Sequence, residues 1–395
     1  MGNNRAAFTA DLIRNTLKYV CGYPVKSVMN LTDVGHLTSD GDTGEDKLEK
    51  GAKRDGISAW EVAKKYETEF FEGLKKLHIE PFDVMPRATD HITEQKAMVQ
   101  TLIDKGYTYI IPEDGIYMDT SKVEDYGELM GPNYQKRLEN LNAGERVEMG
   151  GKHHATDFAL RKFSPKNEKR QMEREFFPYG MGFPGRHIEC SAMSSKYLGQ
   201  HFDLHHGGAD HITVHHPNEI AQSECAFDIH GHPEHRRVKY RVHNEFLQVD
   251  GGKMSKSLGN VYTIQDLETK GYTPLDLRYF FFMAQYGNFQ NFTRDSLAQA
   301  KKTRENLRKK TFQYTTDEVK KLFALIERSP YPSLSHFALN DEAKGAEKLI
   351  DQIEEAMKDN FNTPKLLSIV NNALSNPTPS ELLLLYRLEK TLLKI

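Results

Sequence analysis

The chain has few cysteines, one tryptophan and no long apolar run. Its 395 residues contain only Cys21, Cys190 and Cys225, too few for a disulfide framework. The longest apolar stretch, Tyr279–Met283, is far shorter than the roughly 20 residues of a membrane-spanning helix. The polar N-terminus also lacks the apolar core of a signal peptide. We therefore expect a cytoplasmic protein that is not associated with a membrane.

Neither sign of charge dominates the composition. The 53 lysines and arginines nearly balance the 56 aspartates and glutamates, so any contact with RNA must come from local basic patches. With 28% charged and 38% hydrophobic residues, the composition excludes collagen-like and broadly disordered proteins. The length predicts about two or three globular domains.

The beginning of the chain has the pattern of an open α/β sheet. Apolar residues at helical spacing predict an amphipathic helix over residues 5–20. The next segment, Val25–Met29, is predicted to be a strand that leads into Asn30-Leu-Thr-Asp33, and ligands bind where such parallel strands end. Since no strand precedes the helix, this region is typical of a βαβ unit without its first strand.

The remaining chain alternates between segments of different type. The patterns predict helices over 58–77, 91–105 and 297–310, strand-like pieces over 107–111 and 115–118, a second α/β half over 170–262, a Ser/Pro-rich linker over 328–337, and an all-helical tail over 341–395 with a break at 376–379.

The densest group of metal-binding residue types lies between residues 190 and 219. His215 and Glu219 are four residues apart and face the same way if they lie on a helix. Together with the thiol of Cys190 they suit zinc, which binds four N, S or O ligands. One ligand is then unaccounted for, and a solvated histidine-rich loop is the alternative interpretation. Cys225 is predicted to be a buried structural cysteine.

Two glycine-containing segments favour nucleotide binding. Asp250–Asn260 places Lys253 and Lys256 among serines and glycines, as in a flexible cationic loop that neutralises a triphosphate. In His205-His-Gly-Gly-Ala-Asp210, the paired glycines allow a backbone to approach a nucleotide closely, and Asp210 can accept a hydrogen bond from an amine or a hydroxyl. An exposed lysine loop is the alternative for the first segment.

The motifs together resemble one enzyme family. Lys253-Met-Ser-Lys-Ser257 matches the KMSKS signature of class I aminoacyl-tRNA synthetases. Nearly the whole chain resembles cysteinyl-tRNA synthetases. The further strings that carry this resemblance are Asn30-Leu-Thr-Asp33, Pro86-Arg-Ala-Thr-Asp-His91, Asp157-Phe-Ala-Leu160, His187-Ile-Glu-Cys-Ser-Ala-Met193, His215-His-Pro-Asn-Glu-Ile-Ala-Gln222 and Asn360-Phe-Asn-Thr-Pro364.

This resemblance implies a fold and a set of domains. The fold would be α/β, with a Rossmann-like parallel sheet that lacks its first strand, an α+β insertion and a C-terminal all-helical domain. The implied domains are a catalytic domain over 1–34 and 161–262, an inserted region over 35–160, a linking region over 263–330 that contacts the tRNA stem, and an incomplete anticodon-binding-type domain over 331–395.

The resemblance also implies an activity. Members of the family activate L-cysteine with ATP and Mg²⁺ to cysteinyl adenylate and then esterify tRNA(Cys), usually as monomers. Zinc, held by two cysteines, a histidine and a glutamate, binds the substrate thiolate and so rejects serine. By motif, the ligands carried over to this chain are Cys190, His215 and Glu219.

Further roles follow by motif. Lys256 corresponds to the family's ATP contact, and Lys253 would help to hold the mobile loop. Residues implied at the ATP and cysteine subsites are Gly2, Asn3, Thr32, His205, Gly207, Gly208 and Asp210, with Gly2 and Asn3 matching the end of a HIGH-type signature.

The chain departs from the family at its beginning. The first strand, the cysteine that is the fourth zinc ligand and the leading histidine of the HIGH-type signature are absent, and Cys21 lies too late in the sequence to replace that cysteine. We therefore expect impaired activity from the chain as written. Two alternatives stay open: a non-catalytic tRNA-binding protein, and a ligase that transfers cysteine to an amino-sugar, as in mycothiol synthesis.

Five arginines occupy positions where the family typically has tryptophan: Arg161, Arg174, Arg186, Arg241 and Arg294. One hypothesis is that the source organism reads some arginine codons as tryptophan, and the rival hypothesis is a decaying or repurposed paralogue. Peptide masses of the native protein distinguish arginine from tryptophan at these positions.

Overall fold

A computed structural model describes residues 1–34, 46–132, 134, 136, 151–164, 171–176, 178–229, 236–253, 260, 262–314, 334 and 344–395. The chain forms two compact units. Unit 1 comprises Met1–Val25, Phe71–Pro81 and His243–Ile395, and unit 2 comprises Lys26–Phe70 and Phe82–Val242.

The helices of the described residues, in chain order, are α1 (Gly2–Asn15), α2 (Lys47–Asp55), α3 (Ala59–Lys76), α4 (Ile92–Asp104), α5 (Arg186–Leu198), α6 (His215–Phe227), α7 (Ile264–Thr269), α8 (Pro274–Phe282), α9 (Arg294–Gln313), α10 (Glu347–Lys358), α11 (Thr363–Ala373) and α12 (Pro379–Leu388). Two π-helical turns, Thr16–Val20 and Glu389–Leu393, continue α1 and α12.

The strands are β1 (Thr108–Ile111), β2 (Gly115–Met118), β3 (Phe158–Phe163), β4 (Arg174–Glu175), β5 (Met181–Pro184), β6 (Phe202–Gly208), β7 (Val238–Asn244), β8 (Leu247–Val249), β9 (Gly252–Lys253) and β10 (Gln290–Phe292). They form sheets in the orders β1-β2-β3-β5-β4, β6-β7 and β10-β8-β9.

Unit 2 is built on the five-stranded sheet, whose neighbouring strands are all antiparallel. Helices α4, α5 and α6 pack on one another beside it. The core that these helices share with the sheet contains fully buried side chains, among them Leu102, Ile116, Leu160, Ile188 and Cys225. The predicted burial of Cys225 is therefore confirmed.

The predicted strand at Val25–Met29 is extended backbone with isolated bridges. Val28 pairs with Val84 and Leu31 with Arg87, both in parallel. The Oδ1 and Oδ2 atoms of Asp33 accept hydrogen bonds from the backbone N and the Oγ1 of Thr89, at 2.9 and 2.6 Å. The prediction of a regular strand is therefore wrong, although the segment makes parallel backbone contacts through two isolated bridges.

Unit 1 contains a buried ion pair between α1 and α8. The Arg278 guanidinium donates to Oδ2 of Asp11 at 3.2 Å, and both side chains are fully buried. The same guanidinium donates to the carbonyl oxygens of Leu77, Leu392 and Leu393 at 2.7 to 3.2 Å. Arg278 thus holds four separate parts of the sequence together.

Most predicted helices are confirmed. The helix predicted over residues 5–20 is α1 with its π-helical turn, and the basic helix predicted over 297–310 is α9. The break predicted at 376–379 separates α11 from α12, which begins at Pro379 after a Thr378 capping box. The linker predicted over 328–337 lies outside the described residues except for Leu334. Within the described residues, no helix has both the length and the apolar character needed to cross a membrane.

One of the five unusual arginines is deeply buried. Arg161 on β3 is 3% exposed, and its Nε has no hydrogen-bond partner among the described residues. Its guanidinium stacks over the Phe176 ring at 5.3 Å and donates to the carbonyl oxygens of Arg174 and Gly180. Burial lowers the pKa of Arg161 to about 10. A buried cation without a carboxylate partner is costly.

Arg161→Trp should stabilise unit 2. An indole can keep the ring contact with Phe176 while removing the buried charge, so we expect the free energy of unfolding to rise by about 1–3 kcal/mol. Urea unfolding followed by circular dichroism measures the change. Arg294→Trp is the matched control because Arg294 is exposed at the start of α9, and its effect should stay within about 0.5 kcal/mol. Destabilisation by Arg161→Trp would contradict the tryptophan hypothesis at this position.

Candidate functional site

The site is built on the first turns of α5 and α6 in unit 2. Helix α5 begins directly after Gly185, where a Cβ atom would lie 1.9 Å from the carbonyl oxygen of Ala159. Glycine therefore lets the start of α5 approach β3 closely. The part of α5 that follows, residues 187–194, is buried and includes His187 and Cys190.

Helix α6 is fixed to α5 by side-chain hydrogen bonds. The Nε2 of Gln222 donates to the carbonyl oxygen of His187 at 2.5 Å and to Oγ of Ser191 at 2.6 Å. At the start of α6, the hydroxyl of Tyr126 donates to Oδ1 of Asn218 at 2.6 Å. These bonds hold the faces of the two helices that carry the candidate ligands in a defined arrangement.

Cys190, His215 and Glu219 lie together, as the sequence predicts. One potential ligand atom from each, the thiol sulfur, an imidazole nitrogen and a carboxylate oxygen, lies within 4.8 Å of the other two. His215 and Glu219 are on the same face of α6, and their Nε2 and Oε1 atoms are 2.6 Å apart. Although the two atoms are close, their relative orientation does not suit a hydrogen bond. Among the described residues, this buried Oε1 therefore has no hydrogen-bond partner. Three such donors that converge on one point fit a zinc ion.

The electrostatics of this cluster favour a charged pair. Burial raises the pKa of Glu219, but His205 and His215 outweigh it, and the pKa lies well below its usual value. Burial lowers the pKa of His215, but Glu219 and Cys190 outweigh it, and the pKa lies well above its usual value. Without a metal, His215 and Glu219 therefore form a buried ion pair, and a cation that binds here would take the place of the proton on His215.

A second layer of histidines surrounds the cluster. The Nε2 of His205, on β6, lies 2.8 Å from Oε2 of Glu219, and the Nδ1 atoms of His187 and His215 lie 2.8 Å apart. His205, His216 and Glu219 form a further group of potential ligands. The sequence showed the histidine density, but it gave no signal that His205 faces Glu219, because His205 lies on β6 and a turn separates that strand from α6.

Gly207 allows this histidine packing. A Cβ atom at Gly207 would lie 2.6 Å from Nδ1 of His211 and 2.8 Å from Nε2 of His216. Burial and the neighbouring His215 lower the pKa of His211 to about 4, and burial also lowers the pKa of His216. Both rings are therefore neutral near pH 7 and able to accept a hydrogen bond through one nitrogen.

Glu189, beside Cys190, is a feature that sequence reasoning missed. Its side chain is fully buried, and among the described residues neither carboxylate oxygen has a hydrogen-bond partner. Burial and the nearby Cys190 raise the pKa of Glu189 well above its usual value. The string His187-Ile-Glu-Cys190 contains the residue, but nothing in its pattern indicates that it is buried.

A third group of potential ligands, Asp119, His153 and Asp157, has a structural explanation. Both oxygens of Asp157 are occupied by hydrogen bonds. Oδ1 accepts from the backbone N and the Oγ1 of Thr120, and Oδ2 accepts from the Tyr109 hydroxyl and the backbone N of His154. Asp157 therefore fixes the loops around β2 and β3.

The other predicted site residues lie in different places. Thr32 and Asp210 are exposed in unit 2, whereas Gly2 and Asn3 are exposed in the first turn of α1 in unit 1. Gly208 ends β6, and Lys253 ends β9. Lys256 lies outside the described residues, so its predicted ATP contact stays a prediction.

The architecture is that of class I tRNA synthetases. The solved structure of Mycobacterium tuberculosis methionyl-tRNA synthetase in complex with methionyl-adenylate is similar to 99% of this chain and to 84% of its own length, with a TM-score of 0.57 and 14% identity. That similarity establishes the fold alone. It confirms the predicted α/β class I architecture with a helical C-terminal part.

The sequence comparisons establish the family. The model for the tRNA synthetases class I (C) catalytic domain matches residues 1–302. The chain is 48% identical over 311 residues to cysteine–tRNA ligase 1 of Burkholderia lata and 39% identical over 373 residues to the cysteine–tRNA ligase of Treponema denticola. These matches cover 78% and 93% of this chain, and 63% and 73% of the relatives. The chain belongs to the cysteine–tRNA ligase family.

Proposed function

We propose that the chain activates L-cysteine with ATP to form cysteinyl adenylate and pyrophosphate, and then transfers the cysteinyl group to tRNA(Cys). Zinc, and ATP with Mg²⁺, are part of this proposal. The observation that carries it is the convergence of Cys190, His215 and Glu219 in a member of the cysteine–tRNA ligase family. The cytoplasmic location and the monomeric state stay predictions.

The donor set supports selection of a thiol substrate. Bound zinc would supply a coordination position for which a thiolate is a much better ligand than a hydroxyl. Cys190 and Glu219 would supply negatively charged ligands when the ion binds, and His205 contacts the second oxygen of Glu219 and so orients it. This chemistry distinguishes cysteine from serine without an editing step.

Adenylate formation needs orientation and charge neutralisation. A Cβ atom at Gly208 would lie 2.3 Å from Oδ1 of Asp210, so glycine makes room for this exposed carboxylate, which can bind the substrate ammonium. Lys253 and Lys256 would neutralise the charge that develops on the α-phosphate and on the departing pyrophosphate. In this proposal the carboxylate of cysteine is the nucleophile, so no covalent enzyme intermediate is required.

Cysteine-dependent ATP–pyrophosphate exchange tests the proposal. We expect exchange with cysteine above the background measured with serine and without amino acid, followed by tRNA-dependent formation of cysteinyl-tRNA. The ratio of the exchange rate with cysteine to each background rate decides the outcome rather than the absolute rate. Exchange that is equal for cysteine and serine would refute the proposal, and product formation without tRNA would favour transfer to a different acceptor.

Lys256→Ala should lower the exchange rate by about a hundredfold or more, because removing one preorganised charge-stabilising group has effects of this size. Steady-state exchange at saturating cysteine measures the loss. Lys239→Ala is the control, since Lys239 is an exposed lysine that pairs only with the exposed Asp203 among the described residues. An equal loss in both variants would contradict the assigned role of Lys256.

A further inference from the structure

The sheet β10-β8-β9 in unit 1 has one buried face and one exposed face. Leu247 and Val249 on β8, and Gln290 and Phe292 on β10, are buried. The alternate positions point to the other face. On that face lie Phe246 and Phe289, which directly precede the two strands, and Gln248 and Asn291, which are the middle residues of β8 and β10.

The parallel register places the two phenylalanines side by side. Gln290 pairs with Leu247, and the backbone N of Gln290 donates to the carbonyl oxygen of Phe246 at 3.3 Å. Phe289 therefore lies beside Phe246 on the neighbouring strand. Their exposed fractions are 59% and 50%, and among the described residues neither ring contacts another aromatic ring or a cation.

A buried arginine fixes the backbone beneath both rings. Arg5 of α1 is 2% exposed, and its Nη1 donates to the carbonyl oxygens of Glu245 and Phe246 at 2.6 and 3.1 Å. Its Nη2 donates to those of Gln285 and Asn288 at 3.3 and 2.8 Å. The two segments that carry the phenylalanines are thus held in one arrangement before any ligand binds, which lowers the entropic cost of binding.

The chemistry of this face suits nucleic-acid bases. Exposed aromatic rings on adjacent strands stack on successive bases of single-stranded RNA, and side-chain amides bind base edges. The amide of Gln248 lies on the same face, and Gln248 pairs with Lys253, the first residue of the signature segment, on β9. A single nucleotide such as ATP would need only one ring, whereas this face offers two.

We propose that Phe246 and Phe289 form a stacking platform for two successive bases of single-stranded RNA. If the proposed function is correct, this RNA is the unpaired 3′ end of the tRNA substrate, so the identity of the ligand depends on that function. Gln248 contributes a hydrogen-bonding group to the same platform. Neither phenylalanine takes part in the cysteine or metal chemistry described above.

Fluorescence anisotropy of a labelled single-stranded RNA that ends in CCA tests the platform directly. Phe246→Ala and Phe289→Ala should each weaken binding by about fivefold to 150-fold, since stacking contributes about this factor for each base. Phe246→Tyr should bind the RNA as well as the parent does because it keeps the ring, whereas Phe246→Leu should bind as weakly as Phe246→Ala. A duplex of the same sequence should bind all variants with similar affinity.

The controls separate this inference from loss of folding and from the proposed function. Tyr23→Ala removes another exposed aromatic side chain of unit 1 and should leave RNA binding unchanged. Thermal unfolding identifies variants that no longer fold, and the Phe246→Tyr and Phe246→Leu comparison does not depend on alanine. Unchanged RNA binding in both alanine variants, or full restoration by leucine, would overturn the platform.

Measurements on the unmodified protein, the parent, test the proposed function separately from the platform. RNA binding in this assay needs neither cysteine nor ATP, and ATP–pyrophosphate exchange needs no RNA. A parent without cysteine-dependent exchange, but with RNA binding that the two phenylalanines control, would refute the proposed function and keep the platform. Cysteine-dependent exchange by the parent, together with unchanged RNA binding in the two alanine variants, would support the proposed function and refute the platform.

Discussion

Cys190→Ser should remove most of the bound zinc and lower cysteine-dependent exchange by about a hundredfold or more. A hydroxyl is a poor zinc ligand, and even losing a group that merely orients a ligand lowers metal affinity by about 10- to 100-fold. Serine is nearly isosteric with cysteine, so the interlocked faces of α5 and α6 should stay intact. Elemental analysis gives zinc per chain, and the exchange assay gives the activity.

Cys21→Ser is the matched control for Cys190→Ser. Cys21 is half-buried in unit 1 and belongs to none of the groups of potential ligands found among the described residues. It should keep the zinc content and the exchange of the parent. Zinc at the parental level in Cys190→Ser would show that Cys190 is not a ligand, and equal zinc loss in both variants would indicate a nonspecific effect.

Arg278→Met should lower the free energy of unfolding by about 3–5 kcal/mol, which is the usual cost of removing one partner of a buried ion pair. The variant removes the fully buried cation of the Asp11 carboxylate, which keeps Arg14 at 3.1 Å on its other oxygen, and it also removes the donor to three carbonyl oxygens. Urea unfolding followed by circular dichroism measures the loss.

Two further variants test the origin of that loss. Arg278→Lys keeps the charge but cannot reach the three carbonyl oxygens together, so an intermediate loss is expected. Lys358→Met breaks an exposed pair with Glu354 on α10 and should cost less than about 1 kcal/mol. If Arg278→Met costs no more than Lys358→Met, the buried pair does not stabilise the fold as described.

Much of the candidate metal site could be predicted because its signal is local. The four-residue spacing of His215 and Glu219 fixes their common face as soon as α6 forms, and Cys190 lies within a distinctive string. The position of His205 could not be predicted, since it depends on how β6 packs against α6. Glu189 was missed because burial depends on tertiary packing rather than on sequence pattern.

The pairing of segments that are distant in the sequence could not be predicted either. The apolar residues of Val25–Met29 indicate an extended segment, but nothing local shows that Val28 meets Val84 through an isolated bridge. In the same way, the aromatic character of Phe246 and Phe289 is visible in the sequence, whereas their adjacency follows from the parallel register of β8 and β10. Helices, whose hydrogen bonds are local, were predicted more completely.

The contacts of Arg278 also constrain when unit 1 can finish folding during synthesis. Asp11 is made early, yet its cationic partner follows 267 residues later, and the carbonyl oxygens of Leu392 and Leu393 follow 114 and 115 residues after Arg278. Until the ribosome has passed these positions, the carboxylate lacks its fully buried cation, although Arg14 can already pair with it, and α1 cannot adopt its final packing. Such distant contacts slow folding and prolong the exposure of apolar surface. Chaperone dependence of the nascent chain is therefore expected to persist at least until Leu393 has emerged.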